Sequence, residues 1–208
     1  MNSNYHWLRD PGHGGIIKNV YQTHGKRSPI WADGSQLFEG EFTRDISNRL
    51  GIILDNLGIR STDIVNSQRD VSLRTRVRTA NNLHRINHDC AYLSIHANAF
   101  SKESAHGWEV WTSKGETKSD KFATVFYNEM QSTFPDYEDF RPDTSDGDVD
   151  RESNFYVLKN TWMPAVLTEN FFMTNWEDYK IITSEDGRQK IASAHAMAIL
   201  KIEEAWKR

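Results

Sequence analysis

The chain has almost nothing with which to cross-link itself. Cys90 is the single cysteine in 208 residues, so no internal disulfide can form, and any bound metal would have to be held by histidines and carboxylates. Cys90 precedes the apolar run Ala91-Tyr92-Leu93 and reads as a small core residue rather than a nucleophile. No apolar run reaches the roughly 20 residues that cross a bilayer, so no membrane span is expected. Met1-Asn2-Ser3-Asn4-Tyr5 lacks the basic and apolar stretches of a secretory signal, so synthesis in the cytoplasm without a signal peptide is the expectation, whatever compartment the protein acts in. There is no excess of positive charge either. A net charge of −4 offers no broad phosphate-binding surface and argues against nucleic acid as a partner. Internal repeats and Pro/Ser/Gly linkers are absent, and the length suits one ordinary domain over residues 1–208.

The residues that are present describe a folded protein. Hydrophobic residues make up 38% and charged residues 26%, the balance of a globular chain. His6-Trp7-Leu8-Arg9 reads as a strand stopped by Pro11-Gly12, and residues 14–37 as a long polar loop. Phe38, Phe42, Ile46, Leu50, Ile53 and Leu57 recur at helical spacing between Leu37 and Gly58. Ile59 to Val65 follows as a strand. Leu73, Val77, Ala80, Leu83 and Ile86 mark a second helix with Ser72 as its N-cap. Strands are expected over Ala91–Ile95, Trp108–Trp111, Phe155–Leu158 and Ala165–Thr168. Helices are expected over Ser119–Met130 and 185–206, with an acidic loop at 135–153. Strands alternating with helices predict an α/β domain with a largely parallel or mixed sheet.

Ligands bind in such folds where strands run out into loops. His13 lies in Asp10-Pro11-Gly12-His13-Gly14-Gly15, directly after the first strand. His96 lies in Ser94-Ile95-His96-Ala97-Asn98-Ala99, after the central one, and Glu169 follows a third in Leu167-Thr168-Glu169-Asn170. The helix adds Glu39 or Glu41. At about 100° per residue Glu39 falls within the apolar arc, whereas Glu41 points roughly 140° from its centre. A carboxylate on the apolar side is costly unless paired or bound to metal, so Glu39 is the odd residue and Glu41 a solvated one. Two histidines and one glutamate are a zinc set with an open position for water, and a further glutamate can act as general base on that water.

In order, Asp10-Pro-Gly-His-Gly-Gly, the glutamate opening the next helix, Ser94-Ile-His-Ala-Asn-Ala and Val166-Leu-Thr-Glu-Asn-Phe-Phe-Met-Thr-Asn resemble the motifs of zinc-dependent N-acetylmuramoyl-L-alanine amidases, the type-3 amidase family. The resemblance covers about residues 6–183. It implies that His13, Glu39 and His96 bind Zn2+, that Glu169 is the catalytic acid/base, and that a mixed, mostly parallel sheet is flanked by helices on both faces. It also implies hydrolysis of the amide between N-acetylmuramic acid and L-alanine in peptidoglycan. The length of the chain leaves room for one catalytic domain and none for a separate wall-binding domain. Leu73 with Arg76, Gly107-Trp108-Glu109-Val110 and a Tyr156-Val157-Leu158 strand are further matches. Residues 16–37 and 136–153 do not align with the family as a whole, and the Glu-Gly-Glu and Glu-Asn forms look more like a phage or Gram-negative subgroup.

The remaining conspicuous residues have plainer readings. His6, His24, His84, His88, His106 and His195 have no partners at ligand spacing and are read as structural or solvated. Arg74, Arg78 and Arg85 fall near one face of a helix and are read as a solvated face or ion pairs rather than a nucleic-acid stripe. Asp143, Asp146, Asp148, Asp150 and Glu152 resemble a calcium loop whose glycine is misplaced, and are read as a solvated or substrate-facing loop. Gly12, Gly14 and Gly15 are not a dinucleotide fingerprint. A zinc peptidase acting on the stem peptide and a non-catalytic wall-binding module are the competing readings. The settings that fit are an endolysin acting with phage lysis components, an injection-system component, or part of a secreted bacterial enzyme. In the first two, the enzyme reaches the cell wall or periplasm by release or injection.

Overall fold

The structure, a computed structural model, describes residues 3–206. Met1 and Asn2, part of the segment read for an export signal, lie outside it, as do the last two positions of the 1–208 domain. The main sheet is built from β1 (His6–Pro11), β4 (Ser61–Asp63), β5 (Cys90–Asn98), β6 (Glu109–Thr112), β7 (Arg151–Glu152) and β8 (Ala165–Phe172), in the order β4-β1-β5-β8-β6-β7. The pairings are parallel except that β6 runs antiparallel to β8. The helices are α1 (Glu39–Asn56), α2 (Leu73–Asn87), α3 (Lys118–Thr133), α4 (Tyr156–Asn160), α5 (Trp176–Thr183) and α6 (Glu185–Ala205). The α/β architecture with a mixed, mostly parallel sheet is thus the expected one.

Strand residues alternate between faces, and the alternation divides the core in two. Trp7, Leu93, Ile95 and Val166 pack with Phe42, Ile46, Leu50 and Leu54 of α1 and with α3 and α6. Leu8, Tyr92, Ala165 and Leu167 pack with Val77 and Ala80 of α2 and Val157 and Leu158 of α4. Helices therefore cover both faces. By the same parity Asp10, Ser94, His96 and Glu169 lie on the α2/α4 face, while Thr168 and Asn170 lie on the α6 face.

Several boundaries differ from the sequence reading. Phe155–Leu158 is not a strand: residues 156–160 form the short helix α4, because Val157 and Leu158 bury together against α2 while Tyr156 is left exposed. Helix α5 was not anticipated; Asn175 caps it by accepting a bond from the Asp178 amide. The long loop after β1 contains a small hairpin, β2 (Ile16–Ile17) with β3 (Val20–Tyr21). Its Lys18-Asn19 turn has both residues at positive φ, 49° and 63°, as a two-residue hairpin turn requires. Ser72 caps α2 as expected, accepting from the Thr75 amide at 3.3 Å. Cys90 is buried and Arg74, Arg78 and Arg85 are exposed, as read.

At the base of the sheet, where β1 begins, α6 is stitched to the start of the chain. The Glu203 carboxylate accepts bonds from the Asn4 and Tyr5 amides and from Trp7 Nε1 (2.9 Å), and the Asn4 side chain donates to the Glu203 carbonyl. The opposite edge, where β1, β5 and β8 end, carries the site.

Candidate active site

Chain order reverses between β1 and β5: β1 leads through α1 to β4 on one side, and α2 returns the chain to β5 on the other. A crevice at the C-terminal strand ends is the consequence. His13 stands just past β1 and His96 two residues before the end of β5, and α1 delivers Glu39 between them.

Close backbone approaches bring these pieces together. A Cβ on Gly12 would stand 2.3 Å from His96 Cε1, so the absence of a side chain there is what lets the ring lie over the loop. A Cβ on Gly40 would stand 1.8 Å from the Gly14 carbonyl oxygen, so α1 can seat its first turn on the same loop only with glycine at that position. Tyr21 braces the junction, its hydroxyl accepting from the Gly40 amide at 2.9 Å and donating to the Lys26 carbonyl at 2.8 Å. His13 itself sits at φ 62°, a left-handed conformation unusual for a side-chain-bearing residue. Its carbonyl is held by two buried guanidiniums, Arg44 and Arg76, each donating at 2.9 Å. Arg76 is anchored in turn by Asp10, whose second oxygen accepts from Tyr92 (2.5 Å) and Ser94 (2.9 Å).

One oxygen of Glu39 lies 3.1 Å from His13 Nε2 and 3.0 Å from His96 Nδ1, and it also accepts from the Ala97 amide at 3.2 Å. One ligand atom from each of the three residues falls within 4.8 Å of the others. Glu39 is 2% exposed. Burial favours its protonated form, but the two imidazoles win and hold its carboxyl well below the usual carboxylate range. Burial lowers His13. Burial pulls His96 the same way, but Glu39, Glu169 and Asp10 overcome it and raise that imidazole. A buried carboxylate flanked by two convergent ring nitrogens is a donor set that suits a divalent cation, and these residues could hold one. Glu41, on the outer side of the helix, pairs instead with Arg188 at 2.8 Å.

Glu169 is in register with His96 on the neighbouring strand, and on its other side with Glu109 of β6. Its Oε2 is shielded from solvent and has no hydrogen-bond partner. Burial pushes its carboxyl up to about 8, His96 opposes, and the carboxylates of Glu39 and Glu109 add to the rise. Glu109 is well satisfied: it accepts from Asn98 (2.9 Å), Trp111 (3.2 Å) and Arg141 Nε (2.6 Å).

A cleft of about 690 Å³ opens over His13, Glu39 and His96, bounded by Lys26, Asp70 and the apolar wall of Leu73, Phe155 and Tyr156. A second lobe of about 260 Å³ adjoins it and shares Glu169, Asn98 and Phe155 with the first, adding Trp111, Arg141 and Phe172. All four residues singled out from the sequence, His13, Glu39, His96 and Glu169, thus line one cleft. Asp10 and Arg76 lie inside the sequence motifs but carry no role there, although each is a charged residue at an inward position of its strand or helix, the same signal that marks Glu39. Arg141 gave no signal at all, because it stands in a loop read as acidic. Of that loop, Asp143, Asp146 and Asp148 are at least partly exposed; Asp150 is buried against Thr112, and burial pushes its carboxyl up to about 7. His6, His106 and His195 have structural partners in Thr62, Asp139 and Thr168 respectively.

A family model described as N-acetylmuramoyl-L-alanine amidase matches residues 9–201. An uncharacterized cell wall amidase of Bacillus anthracis is 31% identical over 95% of the chain, which spans 35% of that protein's length. The solved structure of N-acetylmuramoyl-L-alanine amidase AmiC2 of Nostoc punctiforme aligns with a TM-score of 0.75 at 26% identity, covering 97% of this chain and 98% of that one. An N-acetylmuramoyl-L-alanine amidase of Clostridium difficile aligns with a TM-score of 0.78 at 25% identity, covering 99% and 100%.

Proposed function

The chain belongs to the N-acetylmuramoyl-L-alanine amidase family, and on that premise we propose that it hydrolyses the amide joining the lactyl group of N-acetylmuramic acid to the L-alanine of the peptidoglycan stem. The observation that carries this reading is the solvent-shielded, unpartnered Oε2 of Glu169, in register with His96 beside the His-Glu-His cluster. His13, Glu39 and His96 would hold Zn2+, for which two imidazoles and one carboxylate are a fitting set. Zinc supplies Lewis acidity to the scissile carbonyl and acidity to the water that attacks it.

The chain's own residues do the rest. Glu169 accepts a proton from the attacking water and delivers it to the leaving nitrogen; its free Oε2, facing the cleft with no protein partner, is open to both. Arg44, Arg76 and Asp10 hold the His13 turn, and the Gly12 and Gly40 approaches fix His96 and Glu39 against it. The apolar wall of Leu73, Phe155 and Tyr156 excludes water from one side of the cleft. Residues 1–208 act as one catalytic unit with no separate wall-binding module inside them. The place of action is the cell wall, as the name of the B. anthracis relative supports. Phage lysis or injection-system components are the partners that would release or deliver the protein to it.

Product analysis on purified, zinc-supplemented peptidoglycan digests tests the reading. Intact stem peptides with a new amino-terminal alanine are expected. Release of single amino acids would make the protein a peptidase, and wall binding without any release would make it a binding module.

A further inference from the structure

The two lobes of the cleft meet at Glu169, and only one of them contains the His13–Glu39–His96 cluster. In an amide hydrolysis the acyl side of the bond faces that cluster, and the group that protonates the leaving nitrogen stands on the amine side. Glu169 is that group in the reading above, so the peptide departs across it, into the smaller lobe, while the glycan remains in the larger one.

The smaller lobe is lined by one cation, Arg141. Its Nε is committed to Glu109 at 2.6 Å, and the guanidinium lies over the Phe172 ring, 5.4 Å from the centroid. Neither terminal nitrogen has a hydrogen-bond partner among the described residues, and the side chain is 40% exposed. A guanidinium fixed at Nε and by ring stacking, with its terminal nitrogens free, is preset for two parallel bonds to a carboxylate. Glu109 is held in place by Asn98 and Trp111 on one oxygen and by Arg141 Nε on the other, so it engages the edge of the guanidinium and leaves the terminal fork open. A neutral sugar has no group that requires such a fork. The peptidoglycan stem has one: its second residue, an acidic amino acid linked onward through its side chain, carries a main-chain carboxyl that is either free or amidated.

Resting on the amidase reading, we propose that the smaller lobe seats the stem peptide and that Arg141 binds the free main-chain carboxylate of its second residue. Arg141 thereby determines specificity for stems that are not amidated at that position.

The test uses two soluble muropeptides that differ only in that group, free carboxylate against carboxamide, with zinc-loaded protein. A charge-assisted, two-point contact predicts about 10- to 100-fold higher kcat/KM for the free acid. Arg141→Gln should bring the ratio of the two substrates near one, chiefly through KM, and Arg141→Lys should keep part of the preference. Equilibrium binding of the released acidic peptide should weaken in Arg141→Gln by a similar factor, a readout independent of turnover. A merely structural arginine would slow both substrates alike and leave the ratio intact, which would overturn the proposal. If Arg141→Gln fails to fold with Glu109 left unpaired, the double variant Glu109→Gln/Arg141→Gln carries the same ratio measurement. Equal cleavage of both substrates by the wild type overturns this assignment alone, whereas cleavage of neither brings down the amidase reading with it.

Discussion

At the scale of single residues, two glutamates two positions apart have opposite fates, and the difference is angular. Glu39 turns into the cleft and shares one oxygen between two imidazoles; Glu41 turns outward to Arg188. Glu39→Ala is therefore expected to abolish stoichiometric metal binding, measured by elemental analysis. Glu41→Ala should retain it and lose no more than about 1 kcal/mol of stability, the scale of a part-exposed ion pair. Metal loss in Glu41→Ala with retention in Glu39→Ala would reverse the assignment. Glu169 poses a different question, because it stands beside the cluster without belonging to it. Glu169→Gln keeps the shape but cannot accept a proton, so the rate on peptidoglycan should fall about 10²- to 10⁴-fold. Metal content should not change, and the melting temperature should hold or rise, since the carboxyl is buried at a cost. A glutamine variant that is fully active, or one that has lost its metal, removes Glu169 from the acid/base role.

At the scale of elements, β8 works on two faces at once. Glu169 looks into the cleft, and its neighbours Thr168 and Asn170 look toward α6. There the Thr168 hydroxyl lies 3.0 Å from His195 Nε2, and His195 Nδ1 lies 2.7 Å from the Ile191 carbonyl. The carbonyl can only accept, so Nδ1 carries the proton and Nε2 accepts from Thr168. Asn170 extends the chain, donating to the His96 carbonyl at 2.9 Å and accepting from Trp108 at 3.0 Å. Burial lowers His195 to about 4, so the unfolded chain binds this proton before the folded one does. Its contribution to stability is present above pH 6.5 and is lost as pH falls from there through 4, on the order of 3 kcal/mol at full titration. Melting temperature followed from pH 7 to pH 4 should drop less steeply in His195→Leu than in the wild type, although the variant starts lower; parallel curves would disprove a neutral buried imidazole. This network also shows what was legible beforehand. The strands, most helices and the residues at the strand ends could be read because periodicity and oddly placed charges are local signals. His195 could be read only as structural, because its partner lies 27 positions away in β8. Phe155–Leu158 was misread because its aromatic and β-branched residues favour strands locally, while the docking of Val157 and Leu158 on α2 decides for a helix. Arg141 was invisible because its meaning comes from Glu109 and Phe172, which belong to other elements.

At the scale of the whole molecule, the His-Glu-His cluster joins three pieces of chain: the loop after β1, the first turn of α1 and the end of β5. A metal bound there ties them together in the folded state alone, so its binding energy is also stability. A strong chelator should silence peptidoglycan release and lower the melting temperature on the order of 10 °C if the metal is present near 1,000 times its dissociation constant. Zinc should restore both. Turnover that survives complete metal removal would rule out the proposed chemistry, and an unchanged melting temperature would show the three pieces to be held by protein contacts alone. The stitch at Glu203 lies at the other pole. It fastens the end of α6 to residues 4, 5 and 7 at the edge where β1 begins, about six strand residues, or roughly 20 Å, below the cleft. Both ends of the described fold thus leave from one small patch on the floor, facing away from the cleft. The protein is in effect a tool with its handle opposite its blade: a tether, a surface or a fusion partner attached at either end leaves the cleft pointing outward at whatever wall it meets.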